Sequence, residues 1–313
     1  MVDGREHNPF PTITQRSMTF SPDSRMVAYI AALSGRWSFN AFVGEDAVVV
    51  DMVSGRTWRH DEISQKQGLS EELTFSPDST RLAYAGVQNG RSFVVVDDKV
   101  NSPYDGLVSG WAGNPLWQKF PGHGHVGTRS RSIVFSPDSR QVAYAANSGS
   151  QHVLVLDGEE KARHPAILNQ LVCFSPDSNH LAYGIEEAGK QRVVLDWHKL
   201  RSFEGMPPAE WSFSPDSTML AFAAWDGDGN RHTLAVGSNI LRLDGGFVIG
   251  ARIVWEDNTY IHSLIAADRH VRRLKVVVDS TGTPSFGTYQ RHTVEGEHAS
   301  LLPWNTGRIV VGI

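Results

Sequence analysis

Short apolar strings alternate with polar turns along the whole chain, and apolar positions do not recur at the three- and four-residue spacing of a helix face. Residues 73–107 display the unit. Leu73-Thr74-Phe75 is a brief apolar segment, and Ser76-Pro77-Asp78-Ser79 follows as a tight turn. Proline presets φ at the first central turn position, and Asp and Ser side chains bond nearby amides. Residues 81–87 then alternate large and small, a period of two that predicts a strand with Leu82 and Tyr84 on one face and Ala83 and Ala85 on the other. Gln88-Asn89-Gly90-Arg91 predicts a turn, and Ser92-Phe93-Val94-Val95-Val96-Asp97 a strand buried on both faces. After Asp98-Lys99, the segment from Val100 to Tyr104 reads as a more polar edge strand.

The unit recurs. Phe20-Ser21-Pro22-Asp23-Ser24 returns at 75–79, 135–139, 174–178 and 213–217, and Val254-Trp255-Glu256-Asp257-Asn258 is a worn sixth copy. The large residues of the second strand repeat as Val27/Tyr29, Val142/Tyr144, Leu181/Tyr183 and Leu220/Phe222, with Ala28, Ala143, Ala182 and Ala221 opposite. Small side chains there let a neighbouring sheet approach closely. The valine run returns at 48–51, 153–157 and 193–196, and more loosely at 275–279. A repeat of about 40 residues with four strands each predicts an all-β β-propeller. The Ser-Pro-Asp-Ser carboxylates are assigned to turn structure, since one catalytic group is not written five times.

The Phe-Ser-Pro-Asp-Ser turn, the Leu-Ala-Tyr-Ala strand at 82–85 and the Val-Val-Val-Asp strand at 94–97 resemble propeller blades of the TolB-like, WD-repeat-like family. These third strands end in Val-Asp or Leu-Asp where true WD repeats end in Trp-Asp, which favours the TolB-like group. The resemblance implies a propeller over nearly the whole chain, a single domain spanning 1–313. Propellers of this type also form the gating half of prolyl-oligopeptidase-like enzymes, but no hydrolase domain follows here.

Six motifs give six blades, and the ends resemble halves of another. Residues 301–312, with Trp304, resemble the first two strands of a repeat, and residues 1–13 resemble the part after a valine run. The expectation is a seven-bladed propeller with four-stranded blades, its last blade closed by N- and C-terminal strands, which removes exposed edges. The alternative has six blades, with 289–313 packed outside the ring.

Composition adds exclusions. A net charge of −5 argues against a nucleic-acid partner. No apolar run approaches the roughly 20 residues of a membrane span, and the first residues lack the apolar core of a signal peptide. The expectation is a soluble, cytoplasmic monomer. The single cysteine, Cys173, reads as a small core residue.

In a repeat protein, function sits where one repeat departs from the others. Three segments depart: 34–46 between the second and third strands of blade 1, 60–72 leading into blade 2, and 109–130 leading into blade 3. All three are expected on the face opposite the Ser-Pro-Asp-Ser turns. Trp37, Phe39, Trp111, Trp117 and Phe120, with His123, His125, Arg129 and Arg131, are the candidate binding residues. Their aromatic rings either pack into a local cap or meet a protein or glycan partner.

Gly122-His123-Gly124-His125 places two imidazoles on opposite sides of an extended segment with no Cys or carboxylate beside them, so no metal is assigned. Asp226-Gly227-Asp228-Gly229-Asn230 resembles a calcium loop but has Arg231 where the sharp turn requires Gly, and no Glu at position 12. No Gly-x-Ser-x-Gly elbow, phosphate loop, His-Glu-x-x-His or dinucleotide fingerprint occurs. The reading is a non-catalytic binding or scaffold propeller without cofactor. The alternative is a polysaccharide-acting, lyase-like enzyme with His and Arg on the same face, and nothing in the spacing assembles that site.

Overall fold

The computed structural model describes residues 12–13, 18–32, 37–38, 41–42, 45–51, 57–60, 69–88, 90–108, 133–206, 211–226, 231–243, 246–247, 253–267 and 270–286. Among them every regular element is a strand, and no helix is long and apolar enough to cross a membrane. The strands form successive antiparallel meanders of the β-propeller kind. Two compact units share them: 1–109, 131–168 and 172–187 in the first, and 110–130, 169–171 and 188–313 in the second. The fourth repeat is divided between the units.

In the first unit, blade 2 shows the pattern. Leu69–Phe75 pairs with Leu82–Gln88, which pairs with Arg91–Val96, which pairs with Lys99–Val100. The predicted faces are observed. Leu82 and Tyr84 pack with Leu73, Phe75 and Phe93 against Ala28 and Ile30 of blade 1. Ala83 and Ala85, on the other face, meet Phe135, Val142 and Tyr144 of blade 3. Each seam thus joins the small face of one repeat to the large face of the next, which lets buried sheets pack at close range. In the second unit Ala221 and Ala223 of blade 5 meet Trp255, Ile261 and Val276 of blade 6 in the same way.

The repeated turn has a definite structure. Ser76 Oγ donates to Asp78 Oδ1 at 2.6 Å and accepts the Arg81 N–H at 2.9 Å. Asp78 Oδ1 also receives the Thr80 N–H at 3.0 Å. Ser79 closes the turn through its N–H to Ser76 O and takes the left-handed conformation, φ +66°. These bonds to the ionised form, the serine hydroxyl's first, hold the Asp78 carboxyl down at about 2.

The turns also bond between repeats. Asp23 N–H donates to Ser79 Oγ, Asp78 N–H to Ser139 Oγ and Asp138 N–H to Ser178 Oγ, at 2.9–3.0 Å. In these three pairs the last serine of one motif accepts the aspartate amide of the preceding one, so both its dihedral and its hydroxyl are used. The worn sixth copy keeps the bond with another residue: Asp216 N–H donates to Asn258 Oδ1 at 2.9 Å. Its turn is one residue shorter, with Glu256 N–H on Tyr260 O where Ser76 N–H meets Arg81 O.

The aspartate ending each valine run has a similar duty. Asp97 and Asp157 occupy the left-handed region, and their carboxylates accept the amides of Leu82 and Val142. Cys173 lies in the first strand of blade 4, opposite Ala182; it is partly buried rather than a core residue, and desolvation pushes its thiol up to about 12.

Candidate functional site

The first strand of every described blade is interrupted. In blade 1, Thr12–Ile13 and Thr19–Phe20 pair separately with Met26–Ala32. In blade 2 the register slips between Leu69 and Leu73, and in blade 4 between Ile167 and Val172. Blade 5 has a Gly205–Trp225 bridge ahead of Trp211–Phe213, and blade 6 has Gly246–Phe247 ahead of Val254–Trp255.

Blade 3 follows the rule with one difference. Gly106 and Leu107 pair with Asn147 and Ala146, and the strand resumes at Ile133 opposite Tyr144. The long segment expected to connect blades 2 and 3 is therefore an insertion within the first strand of blade 3. Sequence alone misplaced it because a two-residue strand before a long polar segment has no readable period. The interval from Leu107 to Ile133 is longer than an ordinary connection between strands.

Its base is rigid. Val108, 8% exposed, donates its N–H to Ala145 O at 3.0 Å. Beside it, Gly106, Asn147, His152 and His164 form one row across the four strands of the blade. Cross-strand partners share a face, so the three side chains line up. His152 Nδ1 accepts the Ile167 N–H of blade 4 at 2.9 Å, which leaves the proton of the neutral ring on Nε2. His164 Nε2 lies 3.1 Å from Tyr183 Oη, and burial pushes the Tyr183 hydroxyl up to about 12. A side chain at Gly106 would press on the Asn147 amide, its Cβ 3.1 Å from Nδ2. Asn147 Oδ1 is buried without a hydrogen-bond partner.

On the other seam of this blade, Tyr104 packs edge-on against Tyr144. Its hydroxyl is raised chiefly by burial and then by the Glu160 carboxylate. The row fastens blade 3 to blade 4, and its imidazoles are occupied in that work. It positions the ends of the insertion.

Sequence reasoning missed Asn147, His152 and His164. The signal was available: aligned on Tyr84 and Tyr144, blade 2 carries Val87, Ser92 and Tyr104 at the same three places. The predicted binding residues themselves are scarcely placed. Trp37 belongs to a two-residue strand, Trp37–Ser38, paired with Ala41–Phe42, so the expanded segment of blade 1 contains a small hairpin. Phe39, Trp111, Trp117, Phe120, His123, His125, Arg129 and Arg131 lie outside the described residues, as do residues 227–230 of the calcium-like loop. Among the described residues no cluster of three His, Cys, Asp or Glu side chains is arranged to hold a metal.

The second unit carries one further polar cluster. Glu256 stands where the other turns bury a serine, and its Oε2 lies 2.6 Å from His262 Nε2 and 3.3 Å from Lys275 Nζ. The Lys275 ammonium sits 4.0 Å from the centre of the Tyr260 ring. The His262 hydrogen bond, then Lys275, holds the Glu256 carboxyl below its ordinary range. His262 occupies the position of the fully buried Ala83 and Ala143, so this face of blade 6 is polar where its counterparts are apolar.

No protein-family model matches the chain, and no curated protein matches it. Among solved structures it is similar to TolB from Acinetobacter baumannii, at 11% identity over 87% of this chain and 64% of that one, with a TM-score of 0.37. It is also similar to the β-propeller domain of the trilobed protease from Pyrococcus furiosus, at 10% identity over 89% and 85%, TM-score 0.40. A third similar structure is a eukaryotic initiation factor, at 14% identity over 90% and 66%, TM-score 0.49. The chain spans less than two thirds of the TolB and initiation-factor structures.

Proposed function

We propose that the protein is a non-catalytic binding or scaffold propeller that presents the segment inserted into blade 3 to a protein or glycan partner. The observation that carries this reading is the anchorage of that insertion. Both ends are held by ladder pairs of one strand, Leu107 with Ala146 and Ile133 with Tyr144, in a blade whose seam with blade 4 is closed by polar bonds. Rigid scaffolds that carry long, compositionally distinct loops use them for recognition. Trp111, Trp117 and Phe120 supply flat apolar contact, and His123, His125, Arg129 and Arg131 supply polar and basic contact. Trp37 and Phe39 of blade 1 belong to the same proposed set of binding residues.

The proposed scaffold has seven blades, the last assembled from both ends of the chain, and acts as a monomer. The exposure of blade 1 supports the additional blade. Phe20 is 58% exposed, whereas its counterparts Phe75, Phe135 and Phe213 are 7–8% exposed and Phe174 is partly buried.

The test separates binding from packing. Trp111→Ala with Trp117→Ala is expected to abolish capture of partner from a glycan array or a panel of candidate proteins, and to shift the melting temperature by less than about 2 °C. Unfolding of the double variant would make the indoles core residues and overturn the reading. Unsaturated product from uronate-containing glycans would overturn the non-catalytic assignment.

A further inference from the structure

We infer that Arg192, on the third strand of blade 4, is an anion-binding residue that takes a phosphate or carboxylate group. The inference is independent of the blade-3 insertion. Arg192 lies in Lys190–Leu195, in register with Phe93 of blade 2, Val153 of blade 3 and Thr233 of blade 5. Those three are 0–3% exposed, so the place is a core position of the repeat. In blade 4 it holds a guanidinium. Arg192 Nε is buried with no hydrogen-bond partner, while the residue as a whole is only half-buried, so the remainder of its fork reaches the surface.

Two acids near this strand, Glu204 and Asp226 of blade 5, are paired with other cations. Glu204 pairs with Lys190 at 3.2 Å and Asp226 with Arg201 at 3.0 Å. On the outer strand Arg192 has polar and cationic neighbours. Ser202 is its cross-strand partner, and Lys199 stands opposite Val194, two residues along the same face. The ladder slips between these two pairs, placing an additional residue of the outer strand opposite Val193. Such bulges redirect side chains near binding sites.

A guanidinium cannot shed its charge, and a buried Nε–H left without an acceptor opposes folding. A bidentate oxyanion is the partner that its geometry fits. Ser202 Oγ can supply a further donor, and Lys199 adds positive potential. Arg192, Ser202 and Lys199 are oxyanion-binding groups, so the recognised group is the oxyanion itself. It can arrive free or as the terminal group of a larger molecule.

The experiment is thermal unfolding of the full chain, titrated with inorganic phosphate and separately with acetate, with sodium chloride at matched ionic strength as control. Phosphate, acetate or both are expected to raise the melting temperature by about 2 °C once the anion exceeds its dissociation constant tenfold. The anion that acts identifies the recognised group as phosphate or carboxylate. Arg192→Leu is expected to melt at or above the wild type without anion and to lose the shift, and Arg192→Lys to retain only part of it.

The inference fails if neither anion shifts the wild type beyond the chloride control, or if Arg192→Leu shifts equally. If Arg192→Leu does not fold, the Arg192 Nε–H resonance decides on the wild type. Movement on addition of phosphate or acetate, and not of chloride, supports the site, and its absence overturns it.

Discussion

Replacing Ser139 tests the bonds that run from turn to turn. Its hydroxyl accepts the Asp78 N–H at 3.0 Å, its φ is +65°, and it is 2% exposed. Ser139→Ala removes the acceptor and keeps a Cβ in the left-handed region. The lost bond costs about 0.5–1.5 kcal/mol, with an additional increment if the Asp78 amide finds no water. Ser139→Gly loses the same bond, but glycine adopts this φ freely and recovers part of the cost. Ser139→Asn restores an acceptor of the kind Asn258 supplies to Asp216, and Asn also tolerates positive φ.

The expected order of stability is therefore wild type, then Asn within about 0.5 kcal/mol, then Gly, then Ala about 1–2 kcal/mol down. In melting temperature the Ala variant falls by roughly 2–5 °C. Unfolding of a repeat array can be non-two-state, so amide exchange provides the local reading. The Asp78 N–H should exchange about tenfold faster in Ser139→Ala, since 1.4 kcal/mol is one decade. Unchanged melting together with unchanged Asp78 exchange would refute the energetic role of the relay.

Two other predictions concern acid and packing. Asp23, Asp78, Asp138 and Asp216 are held below their ordinary range, chiefly by serine hydroxyls. A depressed folded pKa contributes stability that is present above the unfolded value of about 4 and lost as pH falls through the folded value. Melting temperature should thus drop most steeply between pH 4 and the Asp78 value of about 2, and Asp78→Asn with Asp138→Asn should flatten that slope. A steep loss already complete above pH 5 would contradict this. In blade 5, Gly205→Ala would place a Cβ 2.1 Å from Trp225 Cζ2. The indole must move, at an expected cost of about 1–3 kcal/mol in chemical denaturation. In a Trp225→Ala background the same change should be nearly neutral, and an equal cost there would show that the ring is not the obstacle.

The period-two alternation and the spaced turns determined that this chain is all-β, where its turns fall, and which faces of the second strands are large and small. These are local consequences of strand geometry and turn chemistry, legible from Leu82, Ala83, Tyr84 and Ala85 without knowing a neighbour. Three-dimensional packing decided what those faces and turns meet. Ser79 reads as turn chemistry, yet its hydroxyl serves Asp23, a residue distant in sequence. His152 reads as an incidental polar residue, yet it accepts an amide of the next blade. The insertion in blade 3 reads as a connection because Gly106 and Leu107 are too short a strand to carry a pattern. Arg192 reads as one more charge in a strand, and only the ladder puts its guanidinium in a core position. Sequence records what each residue offers its near neighbours, whereas a seam between repeats is made of groups far apart along the chain, whose partners exist only once the sheets are packed.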